Sequence, residues 1–291
     1  KIHKKKIPLT GGLIIMLNIL LYLTFLNKIE IPTEIFENIF IFYLFIFTAI
    51  TIFVFGILDD KFVIPANTKF ILIILILLPI IVLDNSIQIN KIRLSFINSY
   101  YDISPYGIIW TLICFLLLLN AINMFDGINL QVGLYFLTIL FLLLSKDFNK
   151  FFFFVLVFGV MSYLYLNFKD KAFLGDGGAY LISFIVGYFF IKMYNNEIFL
   201  YADQITLFMI IPGLDLMRLF TLRLLNKRHP FSADNKHLHH LLLKKFSYYK
   251  VIAINQSLIF IPIVLNLFFL STIICLSLSI IIYFLVIYKL N

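Results

Sequence analysis

Apolar and polar residues in this chain come in blocks rather than in alternation. Apolar runs recur at 11–27, 35–58, 67–84, 105–122, 129–145, 150–168, 178–194, 201–225, 249–268 and 270–288. A helix needs roughly 20 apolar residues to cross about 30 Å of hydrocarbon, so the pattern predicts an all-α, polytopic membrane protein with about ten transmembrane helices. Two runs, 129–145 and 178–194, are short, and the last two are divided only by a weak break at Ser271 and Thr272. One stretch follows a different period. In SIQINKIRLSF, residues 86–96, apolar side chains alternate with polar ones on both sides of Asn90 and Lys91. Period two around a polar pair predicts a small external β-hairpin near 86–97. No internal repeat and no separate soluble domain interrupts the runs, so residues 1–291 are read as one transmembrane domain. The abrupt start at Lys1 leads to the expectation that a first span lies upstream.

Composition narrows the class. With 62% hydrophobic and 13% charged residues, the chain carries more apolar surface than a soluble domain of this size could bury. The net charge of +8 raises nucleic acid as a partner, but in a membrane chain positive charge marks cytoplasmic loops. Placing Lys1 in the cytoplasm and alternating sides puts seventeen of the 23 Lys and Arg residues inside. Only Lys28, Lys91, Arg93, Lys146, Lys150 and Lys192 fall outside. Both ends are therefore expected in the cytoplasm, with the bilayer and not nucleic acid as surroundings. Cys114 and Cys275 lie within apolar runs, which argues against a disulfide framework or a thiolate metal site. The outer acids are scattered singly, whereas Asp59, Asp60, Asp126, Asp176 and Asp234 sit in compact polar motifs on the inner side. An active site on the cytoplasmic face is expected from that gathering.

Each motif has a bland reading beside a chemical one. Lys4, Lys5 and Lys6 before Pro8, Gly11 and Gly12 could hold phosphate through charge and helix-start amides; an ordinary positive anchor is the simpler account. Asp59 and Asp60 end the second run, with Lys69 nine residues after Asp60. Adjacent carboxylates repel unless a cation or solvent compensates, and hard oxygen ligands of this kind suit magnesium. A solvated helix end would look the same. Asn120, Asn123 and Asp126 are spaced by three on one helix face, and polar groups there belong against a cavity rather than lipid. Asp126 and Gly127 as a helix end explain only the last pair. Asp176 stands between glycines in residues 173–179, where a flexible backbone could approach a ligand at a helix start. Asp215 and Arg218 read best as a structural ion pair within a span.

The longest polar block, 227–240, reads KRHPFSADNKHLHH and holds four of the chain's five histidines. His237, His239 and His240 have metal-like spacing. A di-iron membrane site, however, needs histidine clusters on several spans, and only His3 and His229 remain. Beside Arg228 and Lys236 the imidazoles suit phosphate oxygens or proton transfer better.

Taken in order, IPLTGG, DD with Lys69, NxxNxxDGIN, FLGDGG and PFSADxxHLHH resemble the motifs of the polyprenyl-phosphate N-acetylhexosamine 1-phosphate transferases, grouped as glycosyltransferase family 4. The resemblance covers almost the whole chain. The phrase before HLHH is closer to the undecaprenyl-phosphate N-acetylglucosaminyl branch than to the phospho-N-acetylmuramoyl-pentapeptide branch, which usually carries three consecutive histidines. The resemblance implies a multi-pass protein of a bacterial inner membrane. It implies a UDP-N-acetylhexosamine donor, a polyprenyl phosphate acceptor, and Mg2+ as cofactor with Mn2+ as a substitute; a homodimer is left open. The implied reaction moves a sugar 1-phosphate to the lipid and releases UMP, starting a cell-surface glycan. Roles follow by position. Asp59, Asp60, Asp126, Asp176, His237, His239 and His240 would be catalytic. Asp176 would bind metal, with Asp126, Asn123 and Asp59 alongside. Phe173 would stack on uracil, and Lys6, Lys69, Asn120, Asn123, Arg228 and Lys236 would bind substrate.

The chain also departs from that pattern. Asn129 stands where a second acid is usual, Leu130 and Gln131 where Gly-Leu is common, and Ala179 and His229 where serine is frequent. A muramoyl-pentapeptide transferase is the rival within the chemistry, and a catalytically weakened relative is another. A transporter is the rival from outside; it is disfavoured because transporters set polar groups near the midplane in paired halves.

Overall fold

The computed structural model describes residues 8–26, 36–62, 64–146, 148–199, 201–228 and 235–290. Among them are eleven α-helices and one two-stranded sheet. The elements run α1 (Gly11–Leu26), α2 (Ile39–Phe62), α3 (Ala66–Leu83), β1 (Lys91–Arg93), β2 (Tyr100–Asp102), α4 (Gly107–Phe125), α5 (Gln131–Leu144), α6 (Lys150–Phe168), α7 (Gly175–Asn195), α8 (Ala202–Leu225), α9 (Leu238–Leu243), α10 (Tyr248–Phe268) and α11 (Thr272–Leu290). Eight of the helices among the described residues are long and apolar enough to cross a membrane, and two shorter apolar ones cover Gly11–Thr24 and Gln131–Leu144. The short run at 178–194 gains length because α7 takes the glycine-rich motif into its first turn and reaches 21 residues.

The chain divides into two compact units, one of Lys1–Asp84 with Val132–Ile185, the other of Asn85–Gln131 with Val186–Asn291. In the first, α1 packs along α6 and α2 along α3. Phe45 stacks on Phe184 and Phe55 on Tyr180, so aromatic faces fill the space beside the first half of α7. Glycines decide how near the helix ends come. A Cβ on Gly12 would fall 2.6 Å from Gly178, and one on Gly56 only 2.4 Å from Gly177. Residues without side chains permit such backbone-to-backbone approach. The start of α1, the end of α2 and the start of α7 therefore meet, bringing together three motifs that are far apart in sequence.

In the second unit α4, α10 and α11 pack on α8. An apolar cavity of about 530 Å³ lies within it, lined among others by Ile92, Trp110, Phe190, Met209 and Gly213. The predicted hairpin is present but displaced. β1 pairs antiparallel with β2, Lys91 opposite Asp102, so the turn falls at 94–99 and not at Asn90 and Lys91. Thr111 of α4 gives the reason. Its hydroxyl accepts from the Ile89 amide (2.8 Å) and donates to the Ile87 carbonyl (3.3 Å), satisfying backbone that a partner strand would otherwise take. Tyr194 fixes the displaced strand, accepting from the Arg93 amide (2.7 Å) and donating to the Lys91 carbonyl (3.0 Å).

Candidate functional site

Two polar clusters stand out, one in each unit. In the first, Asp59 and Asp60 sit on the last turn of α2. Asp59 is buried; its Oδ1 accepts the Ile64 amide at 3.1 Å, and its Oδ2 ion-pairs with Lys69 on the first turn of α3. Lys69 also reaches Asp176 Oδ2 at 3.6 Å. Asp60 Oδ2 accepts the Asp176 amide at 2.9 Å, so a first-turn donor of α7 finds an anion, the favourable charge at a helix N-terminus. Gly175 makes this possible: its φ is +71°, and a Cβ there would lie 2.7 Å from Asp60 Oδ2. The loop before α7 is held by the chain entering α1. Gly11 and Gly12 donate to the carbonyls of Phe173 (2.8 Å) and Leu174 (3.2 Å), and Phe173 donates to the Pro8 carbonyl (3.0 Å). IPLTGG and FLGDGG thus form one piece of structure.

In the second unit the centre is Asp215 of α8. Its Oδ1 accepts from Arg218 Nη2 (2.7 Å), the Tyr283 hydroxyl (2.8 Å) and the Leu238 amide (3.1 Å), while Oδ2 lies 2.9 Å from His237 Nδ1. Arg218 further donates to the Tyr283 oxygen (2.8 Å) and the Lys236 carbonyl (2.7 Å). The His237 ring stacks on His239 at 5.5 Å between centroids, and His239 meets His240 at 4.2 Å. His239 also packs against the DGIN turn, where a Cβ on Gly127 would fall 1.9 Å from its Nε2. Both His239 ring nitrogens are buried with no hydrogen-bond partner among the described residues. Burial, then the neighbouring His240 and His237, hold its pKa down at about 3, so it is neutral at pH 7.

The structure therefore gathers Asp59, Asp60, Lys69 and Asp176 in the first unit, with Phe173 on the adjoining loop. It gathers His237, His239 and His240 with the DGIN turn in the second. Asn120 spends its amide on the Leu116 carbonyl of its own helix (2.7 Å), whereas the Asn123 amide is buried without a partner among the described residues. Asp126 ends α4 as its cap residue. Arg228 and Lys236 are exposed. Lys4, Lys5, Lys6, His229 and Asp234 lie outside the described residues.

Some residues escaped the sequence reading. The Tyr180 hydroxyl is buried without a hydrogen-bond partner among the described residues and feels the charges of Asp176, Asp59 and Asp60. Its place one turn after Asp176 was the available signal. The DGIN loop is held from α10: Tyr248 donates to the Asn129 carbonyl (2.7 Å), Asn255 to Gln131 Oε1 (3.1 Å) and Gln256 to the Gln131 carbonyl (2.9 Å). Two adjacent amides inside an apolar run could have betrayed that role. Tyr283 left no local sign.

The first cluster fits a magnesium ion by its chemistry. Three carboxylates supply hard oxygen donors, and the single Lys69 ammonium paired with them leaves negative charge in excess. No group of three or more His, Cys, Asp or Glu among the described residues is placed to hold a metal ion by itself. Magnesium asks for none, because it takes one or two carboxylates and fills its shell with water and phosphate.

Comparison with known proteins places these motifs. The pattern of a family described as Glycosyl transferase family 4 matches residues 40–194, just over half of the 291. The chain is 28% identical over 258 residues to an undecaprenyl-phosphate alpha-N-acetylglucosaminyl 1-phosphate transferase of Thermotoga maritima, covering 87% of this chain and 74% of that protein. A probable undecaprenyl-phosphate N-acetylglucosaminyl 1-phosphate transferase of Bacillus subtilis is 24% identical over 256 residues, covering 84% and 67%. A Salmonella typhi undecaprenyl-phosphate alpha-N-acetylglucosaminyl 1-phosphate transferase is 26% identical over 258 residues, again covering 84% and 67%.

Proposed function

The chain belongs to glycosyl transferase family 4, and from that premise we propose that it transfers a sugar 1-phosphate from a UDP-N-acetylhexosamine to a polyprenyl phosphate. The observation that carries the reading is the gathering of Asp59, Asp60 and Asp176 about Lys69. Multi-pass apolar helices and the apolar cavity of the second unit support a lipid acceptor. The relatives' names make UDP-N-acetylglucosamine the first donor to test. About ten spans in a bacterial inner membrane and a cytoplasmic setting for each cluster complete the proposal, on the lysine and arginine bias.

The chemistry sets what the side chains must do. An oxygen of the lipid phosphate attacks the sugar-bearing phosphorus, the bond to the bridging oxygen breaks, and UMP leaves with that electron pair. A phosphate monoester has a second pKa of about 6, so the attacking group is already a dianion at neutral pH. Two dianions give two dianions, and no proton need move. The obstacle is repulsion between anions. Asp176 and Asp59 would hold a divalent cation, which would supply charge neutralisation and polarise a phosphoryl oxygen. Asp60 fixes the first turn of α7 through the Asp176 amide, and Lys69 adds positive charge beside the phosphates. Phe173 offers a half-buried ring for the uracil. In the second unit His237, His239 and His240 contact phosphate oxygens, His239 as a neutral hydrogen-bonding group.

UMP release from a panel of UDP-N-acetyl sugars, with polyprenyl phosphate and Mg2+ in detergent, tests the proposal. Release with at least one donor and dependence on the lipid are expected; none with any donor overturns it. Mn2+ titrations of Asp126→Asn and Asn123→Ala test their proposed share in metal binding.

A further inference from the structure

We infer that Asp215 is a positioning residue for this transfer, holding His237 in the tautomer that offers Nε2 to a phosphate oxygen. The inference rests on the reading just proposed, and it concerns a residue whose sequence spacing suggested only an ion pair with Arg218. A structural pair would need no more than those two side chains. Here the carboxylate takes four donors from three places in the chain: Arg218 on its own helix, Tyr283 on α11, and His237 with the Leu238 amide at the start of α9. The Leu238 amide is among the donors that a helix start leaves unsatisfied. Asp215 therefore serves α9 as a cap from a distance, and Arg218 fastens the preceding residue through the Lys236 carbonyl.

That arrangement dictates the imidazole. An ionised carboxylate only accepts hydrogen bonds, so His237 Nδ1 must carry a proton. Its Nε2 is then the atom left for a ligand, either as a lone pair or, once protonated, as a second donor. The charged and titratable groups facing His237 are Asp215 and Arg218 from α8, Tyr283 from α11, and His239 and His240 from α9. Asp215 is the only anion among these named groups. Its charge acts directly on the ring, so changing that charge should change how the rate depends on pH.

The test pairs two variants with opposite expected signs. Asp215→Asn keeps the shape but removes the charge and turns a donor toward Nδ1. Turnover should drop about 10²-fold, with little change in KM for the UDP-sugar, and the alkaline limb of the pH–rate profile should move to lower pH. Tyr283→Phe removes one donor and leaves the carboxylate more basic, so the limb should move to higher pH. Asp215→Glu should restore part of the wild-type profile. A merely structural role would scale activity down equally at every pH, and that outcome in both variants overturns the inference. If Asp215→Asn does not fold, Tyr283→Phe alone decides by the direction of its shift. The tautomer can be read without turnover by 15N NMR of histidine-labelled protein, the His237 signals being assigned through their loss in His237→Asn. Wild-type protein with Nδ1 protonated but no UMP release with any donor would sink the functional reading and leave the geometry standing. Normal release with Nδ1 unprotonated would sink the inference alone.

Discussion

Asp59 and Asp215 are both almost inaccessible, with side chains 2% and 6% exposed, yet their surroundings differ in kind. Asp215 is matched by an arginine, an imidazole, a phenol and an amide, so its charge is balanced within its own cluster. Asp59, Asp60 and Asp176 crowd together around Lys69 and leave negative charge uncompensated. The difference separates two uses of a buried acid. A carboxylate whose charge and lone pairs are satisfied organises the protein, whereas carboxylates held in excess of their counter-charge are kept ready for a cation that arrives with substrate.

The sharpest way to break the comparison is to neutralise one acid of each kind. Asp176→Asn should lower UMP release by about 10²–10³-fold while leaving the melting temperature in detergent unchanged or raised, since a repulsion is relieved. Asp215→Ala should do the reverse to stability, costing about 3–5 kcal/mol because the Arg218 charge loses its carboxylate partner. If Asp176→Asn melted as early as Asp215→Ala, the first cluster would be structural and the distinction would fail.

Two helix glycines, Gly56 in the first unit and Gly213 in the second, differ in how much room they have. Gly56→Ala would press a methyl group onto the Gly177 backbone, where atoms already stand 2.4 Å from the ideal Cβ position. Helices α2 and α7 would have to part, at a cost of about 1–3 kcal/mol, carrying Asp59 and Asp60 away from Asp176. Gly213→Ala meets nothing within 4 Å and should gain up to about 1 kcal/mol from helix propensity. Thermal melts together with Mg2+ titrations of turnover would show both effects. A harmless Gly56→Ala would mean that helix contact does not hold the acid cluster.

Lys69 stands where the comparison predicts a cation. Lys69→Met should bind Mn2+ about tenfold more tightly without substrate, because a like charge is removed from beside the site, although turnover should fall. Electron paramagnetic resonance of free Mn2+ measures this directly. Weaker Mn2+ binding in the variant would show that Lys69 and the metal do not compete for the same carboxylates.

What could be read from the chain follows the range of the interactions. The acids and their chemistry class were legible because a charge in so apolar a sequence needs a reason, and Asp59, Asp60 and Asp176 stand in short motifs. Arg218 was visible beside Asp215 at helical spacing. His237 and Tyr283, 22 and 68 residues away, were not, so a hub was taken for a pair. The hairpin was found but misplaced, since nothing local says that Thr111 satisfies the Ile87 and Ile89 backbone. The glycine contacts of Gly12 with Gly178 and Gly56 with Gly177 join distant segments, and a glycine in sequence does not name its neighbour.

The smallest effect is expected in the second unit, at a position where the chain departs from the pattern it resembles. Leu130 has φ +67°, the left-handed region that costs a side-chain-bearing residue about 1–2 kcal/mol, and it stands where glycine is common. The turn survives because its neighbour holds it. Gln131 is fully buried, donates to the Phe125 carbonyl at 2.9 Å and accepts from Asn255 at 3.1 Å. Leu130→Gly should therefore stabilise the protein by up to about 1 kcal/mol, part of the relieved strain being offset by the greater freedom of glycine in the unfolded chain. Gln131→Leu, the other half of the common pair, should destabilise by about 1–3 kcal/mol because Asn255 and the Phe125 carbonyl lose their partner. Opposite signs for the two variants in thermal melts would show that Gln131 carries a strain introduced at Leu130. If Leu130→Gly destabilised, the left-handed turn would owe its stability to the leucine side chain instead, and the polar ties from α10 would be secondary to it.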